Sequence, residues 1–212
     1  MPGWTRAHFR RLFPWEADRY AAHLKALTPQ GRRWRFCGFL GDDILEAHAA
    51  RAIDIGHVEG CFLDGRLIGA FELIVDPPPA RSAQVALSVD PAHHHNGLGS
   101  ELIARARSRA SLLGIAALEL QIQGDNAAMT ALARRAGASI KREGTDFAAT
   151  VAVPGTDPRR LPLALLQDEA SLLQGMFSLM LGAARRSVAR TLRNGASSGA
   201  REPRGGLAGL AP

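Results

Sequence analysis

The chain has 212 residues, of which 46% are apolar, with 26 lysines and arginines against 20 acidic residues; that is enough to bury one sizeable core. Its two cysteines, Cys37 and Cys61, have no metal-like spacing and exclude a disulfide framework or a zinc site, and no apolar run reaches the roughly 20 residues of a membrane span. The basic excess is local: over 182–212 six arginines oppose one acid, Glu202, so the remainder is nearly neutral and offers no basic face for nucleic acid. Residues 1–5 followed by a charged helix do not read as a signal peptide, and a bacterial cytoplasmic location is expected. Both cysteines are expected to be buried apolar fillers.

In chain order, 8–13 reads as a first strand and 15–27 has helical spacing. Thr28-Pro29 then forms a cap with proline in the first turn, and 28–36 together with 43–52 reads as a second helical region. Residues 57–63 and 67–75 are apolar strands around Asp64-Gly65, a hairpin signal. Gln84, Ala86 and Ser88 alternate with Val85, Leu87 and Val89, so 83–89 is a strand, and Pro91 stops it because proline lacks the donor a ladder needs. Gly97 and Gly99 open a helix. Residues 116–122 form another strand, followed by a helix capped by Asp125 or Asn126 and stopped at Gly137. A last pair of strands spans 139–142 and 147–153.

The turn from 89 to 100 is the layout of an anion cradle. Glycines let backbone N–H groups approach a ligand, and the positive end of the next helix favours phosphate. There is no Gly-x-x-x-x-Gly-Lys-Ser/Thr sequence, and Leu102 stands where a dinucleotide fingerprint needs its third glycine. His93, His94 and His95 are consecutive and cannot point the same way, so they are read as phosphate contacts rather than metal ligands, with Asn96 and Ser100 adding side-chain hydrogen bonds. Arg105 and Arg107 stand further along the helix as phosphate candidates.

The order Val89-x-Pro91-x-x-His94-x-x-Gly97-x-Gly99 resembles the coenzyme A pyrophosphate loop of the GNAT superfamily of N-acetyltransferases, with His94 at its usual Arg or Gln position. Asn126, Leu132 and Gly137 match a second stretch of that family, while Ala133 and Ala138 replace its tyrosine and phenylalanine. The wording around Thr28–Phe36 is similar to GNAT domains of the protein-lysine acetyltransferase type. The resemblance covers about residues 5–154. It implies a mixed α/β (α+β), GNAT-like fold with a mostly antiparallel central sheet flanked by helices, to which the helical pattern of 161–193 adds a C-terminal helical extension.

It further implies acetyl-CoA as cosubstrate, no metal, and direct transfer to an amine of a small molecule or protein. Coenzyme A contacts would come from Leu87, Ser88 and Val89, from His94, His95, Asn96, Gly97, Leu98, Gly99 and Ser100, and from Asn126. Glu72 is the catalytic base candidate by strand position; a solvated outward glutamate is the plainer alternative. Gln84 stands where some relatives carry a basic glutamate and cannot serve, and Glu119 fits an ordinary alternating strand. Ala133 cannot protonate the departing thiolate, which at pKa about 8.5 is itself a fair leaving group. His94 would make binding pH-sensitive.

Three parts are therefore expected: an acyl-CoA-binding domain over 1–154, an amphipathic helical extension over 155–194, and a disordered basic tail over 195–212. Leucines and methionines over 161–193 cover more than one face and call for a cover, whether the same domain, a homo-oligomer partner or a membrane surface. Two alternatives to catalysis stand beside it. One is an acyl-CoA-binding sensor without turnover; the other is a scaffold or membrane-associated protein acting through 161–193.

Overall fold

The computed structural model describes residues 4, 6–79, 81–155 and 169–176. Seven strands form one sheet in the order β1-β2-β3-β4-β5-β7-β6: β1 His8–Arg11, β2 His57–Leu63, β3 Arg66–Val75, β4 Ser82–Val89, β5 Ala117–Ile122, β6 Ser139–Glu143 and β7 Asp146–Ala152. Every pairing is antiparallel except β4 with β5. The helices are α1 Ala17–Lys25, α2 Pro29–Phe36, α3 Asp42–Ile55, α4 Leu98–Leu112 and α5 Ala127–Arg135. The expected mixed α/β fold is the observed one.

Local chemistry explains most boundaries. The Thr28 hydroxyl accepts the Gly31 N–H at 3.0 Å and starts α2 with Pro29 in its first turn. Asp64 and Gly65 both have positive φ, 49° and 79°, as the tight turn between β2 and β3 requires. The Asn126 carboxamide accepts the Met129 N–H at 3.0 Å, which settles the cap of α5. The second helical region divides into α2 and α3 because Cys37 takes a left-handed φ of 52° and ends α2.

Two apolar clusters lie on the two faces of the sheet. One joins α4 and β5 with Ile68, Phe71 and Leu73 of β3. The other joins α1 and α3 with Val58, Phe62, Leu67 and Ala70. Alternate residues of β3 therefore serve both cores, so a polar residue inside that strand is buried whichever way it points. By contrast α2 buries none of its residues.

Described residues up to Gly175 belong to one compact unit. Within it, 169–175 is helical, and buried Ser171 accepts the Arg11 N–H at 3.4 Å. Leu172 and Leu173 of this segment are exposed. The rest of the expected helix over 161–193 and the tail over 195–212 lie outside the described residues. No described helix is long and apolar enough to cross a membrane.

Candidate active site

The site arises where two neighbouring strands part. β4 stays paired with β3 as far as Gly69↔Val89, and β5 stays paired with β7 as far as Ile122↔Phe147. Between β4 and β5, however, only Ser82↔Ala117, Ala83↔Leu118 and Gln84↔Glu119 are in register. From Val85 to Val89 the edge of β4 that faces β5 has no partner strand, and its backbone donors and acceptors are left for something else.

A cleft of about 620 Å³ occupies this wedge. Leu87, Val89, Leu120 and Leu132 give it an apolar lining, α2 contributes Thr28, Trp34 and Arg35, and the turn before α4 closes one end. Every predicted coenzyme A residue from Leu87 to Val89, from His94 to Ser100 except Asn96, and Asn126 lines the same cleft. Asn96 belongs to the turn, and its carbonyl accepts the Trp4 indole N–H at 2.8 Å.

The turn has the backbone geometry expected of an anion cradle. The Asp90 carboxylate accepts the Ala92 N–H at 3.0 Å and the Arg66 guanidinium at 2.7 Å, which fixes the chain leaving β4. His95 and Gly97 are left-handed, with φ of 59° and 82°, and Gly97 caps α4. The Gly97 carbonyl takes the N–H groups of Ser100 and Glu101 at 3.0 and 3.1 Å, so those of Leu98 and Gly99 have no intrahelical acceptor. An anion would find these amides and the positive helix end together. His94 is exposed, and its Nε2 donates to the Val89 carbonyl at 3.0 Å; it braces the loop onto the strand. Arg105 differs from its expected phosphate role: it pairs with Glu101 at 2.8 Å and Glu59 at 3.1 Å and stacks over Phe9. Arg107 lies instead by a smaller pocket with Ser100 and Arg135.

Glu72 is neither outward nor solvated. It is 3% exposed on the floor of the cleft, at the junction of three helices. Arg35 Nη2 of α2 lies 2.6 Å from Oε2, His48 Nε2 of α3 donates to Oε1 at 2.8 Å, and the Tyr20 hydroxyl of α1 donates to the same oxygen. Burial pushes this carboxyl up, but the Arg35 charge and the His48 and Tyr20 hydrogen bonds outweigh it and hold it at about 2. Burial and the neighbouring carboxylate push the Tyr20 phenol well above its usual range. Glu72 is thus a carboxylate committed to its partners, a poor resting acceptor for a proton.

The other acid and base candidates are also spoken for. Gln84 donates to Glu119 at 3.1 Å across the β4–β5 pair. Ala133 is fully buried in the core, and α5 offers the cleft Met129, Leu132 and Arg135. Cys61 is buried as expected, whereas Cys37 is exposed at the end of α2 and lines the cleft; the left-handed turn that ends the helix carries it away from the core. Among the described residues no group of three or more His, Cys, Asp or Glu side chains is arranged to hold a metal ion.

Sequence reading missed a second pair on the same sheet face as Glu72. His23 of α1 and Ser88 of β4 are both buried, and His23 Nε2 lies 2.9 Å from Ser88 Oγ. The available signal was His23 at helical spacing from Tyr20 and beside Leu24, a polar side chain on an apolar stripe.

The family model described as the acetyltransferase (GNAT) family matches residues 6–138. No curated protein matches the chain. Among solved structures, the GNAT domain of S. lividans PAT superposes with a TM-score of 0.61 at 19% identity, covering 69% of this chain and 90% of that one. Spermidine N-acetyltransferase from Vibrio cholerae, in complex with CoA and spermine, gives 0.58 at 18% identity, covering 70% and 96%. PaiA N-acetyltransferase from Thermoplasma acidophilum, in complex with coenzyme A, gives 0.55 at 18% identity, covering 69% and 98%. At these identities the likeness is one of fold.

Proposed function

We propose, for a chain that belongs to the acetyltransferase (GNAT) family, that it binds acetyl-CoA in the β4–β5 wedge and transfers the acetyl group directly to an amine, without a covalent enzyme intermediate. The observation that carries this reading is the parting of β4 from β5 with the α4 cradle at its end. An extended pantetheine arm needs backbone partners along its length, and Val85 to Val89 offer them. A pyrophosphate needs N–H groups and a positive helix end, and Gly97 to Ser100 offer those. The structural relatives bound to coenzyme A support the ligand class.

In this reading the residues divide the work by position. Leu87, Ser88 and Val89 hold the thioester end, His94 to Ser100 hold the phosphates, and Asn126 fixes the start of α5 on the far wall. Glu72 sits at the acceptor end. With its carboxyl held at about 2 by Arg35, His48 and Tyr20, it orients these three groups around the acceptor more effectively than it would hold a proton. Rate enhancement then comes chiefly from holding amine and thioester in attack geometry.

A sensor module that binds acyl-CoA without turnover is the second reading. It is favoured by one observation: Ala133, buried in the core, stands where the family places a tyrosine, and α5 offers the cleft Met129 and Leu132, so α5 supplies no phenol to protonate the leaving thiolate. Calorimetric titration with acetyl-CoA and with free coenzyme A, repeated on Gly99→Glu, tests the shared premise. A Cβ at Gly99 meets Leu132 Cδ2 at 3.4 Å, an ordinary contact, so the variant adds a negative charge at the cradle without breaking the fold. Micromolar binding weakened at least about tenfold in the variant supports the cleft as the site. Absence of binding to either ligand overturns both readings, and binding without turnover on a broad amine panel selects the sensor.

A further inference from the structure

His23 is held so that only one of its nitrogens can act on Ser88. Its Nδ1 lies 3.2 Å from the Leu67 carbonyl oxygen, which only accepts, so Nδ1 carries the hydrogen. In the neutral imidazole Nε2 is then a bare lone pair, and the contact at 2.9 Å has the Ser88 hydroxyl donating to it. The tautomer follows from the chemistry of the partners. Burial, the largest influence, lowers the His23 pKa to about 4, so the ring is neutral at physiological pH. Asp90 favours its cationic form, Arg35 and Arg66 oppose it, and the Tyr20 ring stacks 6.4 Å away.

Ser88 is the link between this buried base and the cleft. It lies on β4 in the segment without a β5 partner, lines the cleft, and pairs in register with Ala70, next but one to Glu72 on β3. With its hydrogen committed to His23, its oxygen retains lone pairs for a donor in the cleft. A hydroxyl donating to an oriented imidazole is the arrangement by which a nucleophile or proton carrier is coupled to a base.

We propose that Ser88 and His23 form the proton path of the transfer reaction, Ser88 touching the acceptor amine and His23 acting through it. This inference rests on the acetyltransferase reading above. As the amine nitrogen bonds to the thioester carbonyl carbon, its proton passes to Ser88 Oγ while the Ser88 proton passes to His23 Nε2. When the C–S bond breaks, the same path runs backward: the imidazolium returns a proton to Ser88, and Ser88 gives one to the coenzyme A sulfur. The products are an amide and a neutral thiol, with serine and histidine restored and no external acid or base consumed.

Magnitudes favour this path over Glu72. A group at about 4 accepts a proton with about two pK units less difficulty than one at about 2, and accepting it does not break an ion pair. The imidazolium, disfavoured by burial, returns its proton readily to a thiolate whose ordinary pKa is about 8.5. The path therefore also supplies the acid that α5 lacks.

The test compares the parent with Ser88→Ala and Ser88→Thr, measuring thiol release from acetyl-CoA with a panel of primary amines, acetyl-CoA affinity by calorimetry, and melting temperature. Loss of a general acid–base group costs about 10²-fold or more in kcat. The expected result is a kcat reduced about 10²-fold in Ser88→Ala with acetyl-CoA affinity retained; the melting temperature falls in Ser88→Ala, because buried His23 loses its donor, and is restored in Ser88→Thr. The deficit should shrink as pH rises and hydroxide substitutes for the missing base, and Ser88→Thr, which keeps the hydroxyl, should recover most of the rate.

A merely structural serine would leave the pH profile of kcat in Ser88→Ala parallel to the parent, whatever the melting temperature does, which overturns the proposal. So does a Ser88→Ala kcat within about threefold of the parent. A parent that binds acetyl-CoA but releases thiol with no amine overturns the proton path while the acyl-CoA site stands; failure to bind acetyl-CoA overturns the underlying reading itself.

Discussion

Arg35 Nη2 lies 2.6 Å from Glu72 Oε2, and both side chains are more than nine-tenths buried. The pair joins α2, whose other residues are at most partly buried, to the central strand β3, and Tyr20 and His48 tie α1 and α3 to the same carboxylate. One glutamate thus pins three helices to the sheet at the floor of the cleft.

Acid sensitivity follows from that pin. The Glu72 carboxyl is lowered from its ordinary 4.5 to about 2 in the folded protein, so the stability it confers is fully present above pH 4.5 and is lost as pH falls toward 2. The linked contribution is about 3 kcal/mol. Urea unfolding of the parent should lose stability steeply between these pH values, and Glu72→Gln should be flatter there and less stable at neutral pH. A parent and variant with parallel profiles would remove the ion pair from this account.

His23 governs a higher window with the same sign. Its folded pKa is lowered from 6.5 to about 4 by burial, so below pH 6.5 the unfolded chain takes up a proton that the folded chain refuses. Stability contributed by keeping the ring neutral is present above pH 6.5 and falls progressively toward pH 4, by up to about 3 kcal/mol. His23→Gln should lose the pH dependence of unfolding in this window, whatever its stability at pH 7. Direct titration of the His23 ring resonances by NMR should give a midpoint well below 6.

Asp125 tethers α2 from the other side. The Trp34 indole donates to Oδ1 at 2.9 Å, Gln30 donates to Oδ2 at 3.3 Å, and Arg33 pairs with the same carboxylate. Because α2 has little buried surface of its own, Asp125→Ala should raise amide hydrogen exchange across 29–36 severalfold while leaving β4 and β5 protected. Unchanged exchange would mean that the Arg35–Glu72 pair holds the helix unaided.

Which features were legible in the sequence depended on the distance over which they are encoded. Pro91, Gly97 and Gly99 act on their own backbone, so the strand, the turn and the start of α4 could be read within a few residues. The hairpin at Asp64-Gly65 and the caps at Thr28 and Asn126 are local for the same reason. The burial of Glu72 was not local. On a half-buried antiparallel strand a glutamate reads as outward, and only the presence of cores on both faces of β3 makes it interior.

Arg105 illustrates the converse error. Its place on α4 after the cradle suggests a phosphate contact, but the sheet brings Glu59 and Phe9 to it from β2 and β1, and those contacts claim its guanidinium. Residue type alone places Cys37 in the core, whereas the left-handed turn after α2 carries it to the cleft wall.

The sequence by itself determined the element order, the anion cradle before α4 and the resemblance that names the family, because turns, caps and hydrophobic periods are short-range properties of the chain. Only the tertiary structure decided that β4 and β5 part after Gln84, that Glu72 is locked by Arg35, His48 and Tyr20, and that Ser88 meets His23 across 65 positions. These depend on how two cores close on opposite faces of one sheet. The polar groups trapped between them take whichever partners that closure brings within hydrogen-bond reach, because leaving them unpaired would cost more than the bonds they lose to water.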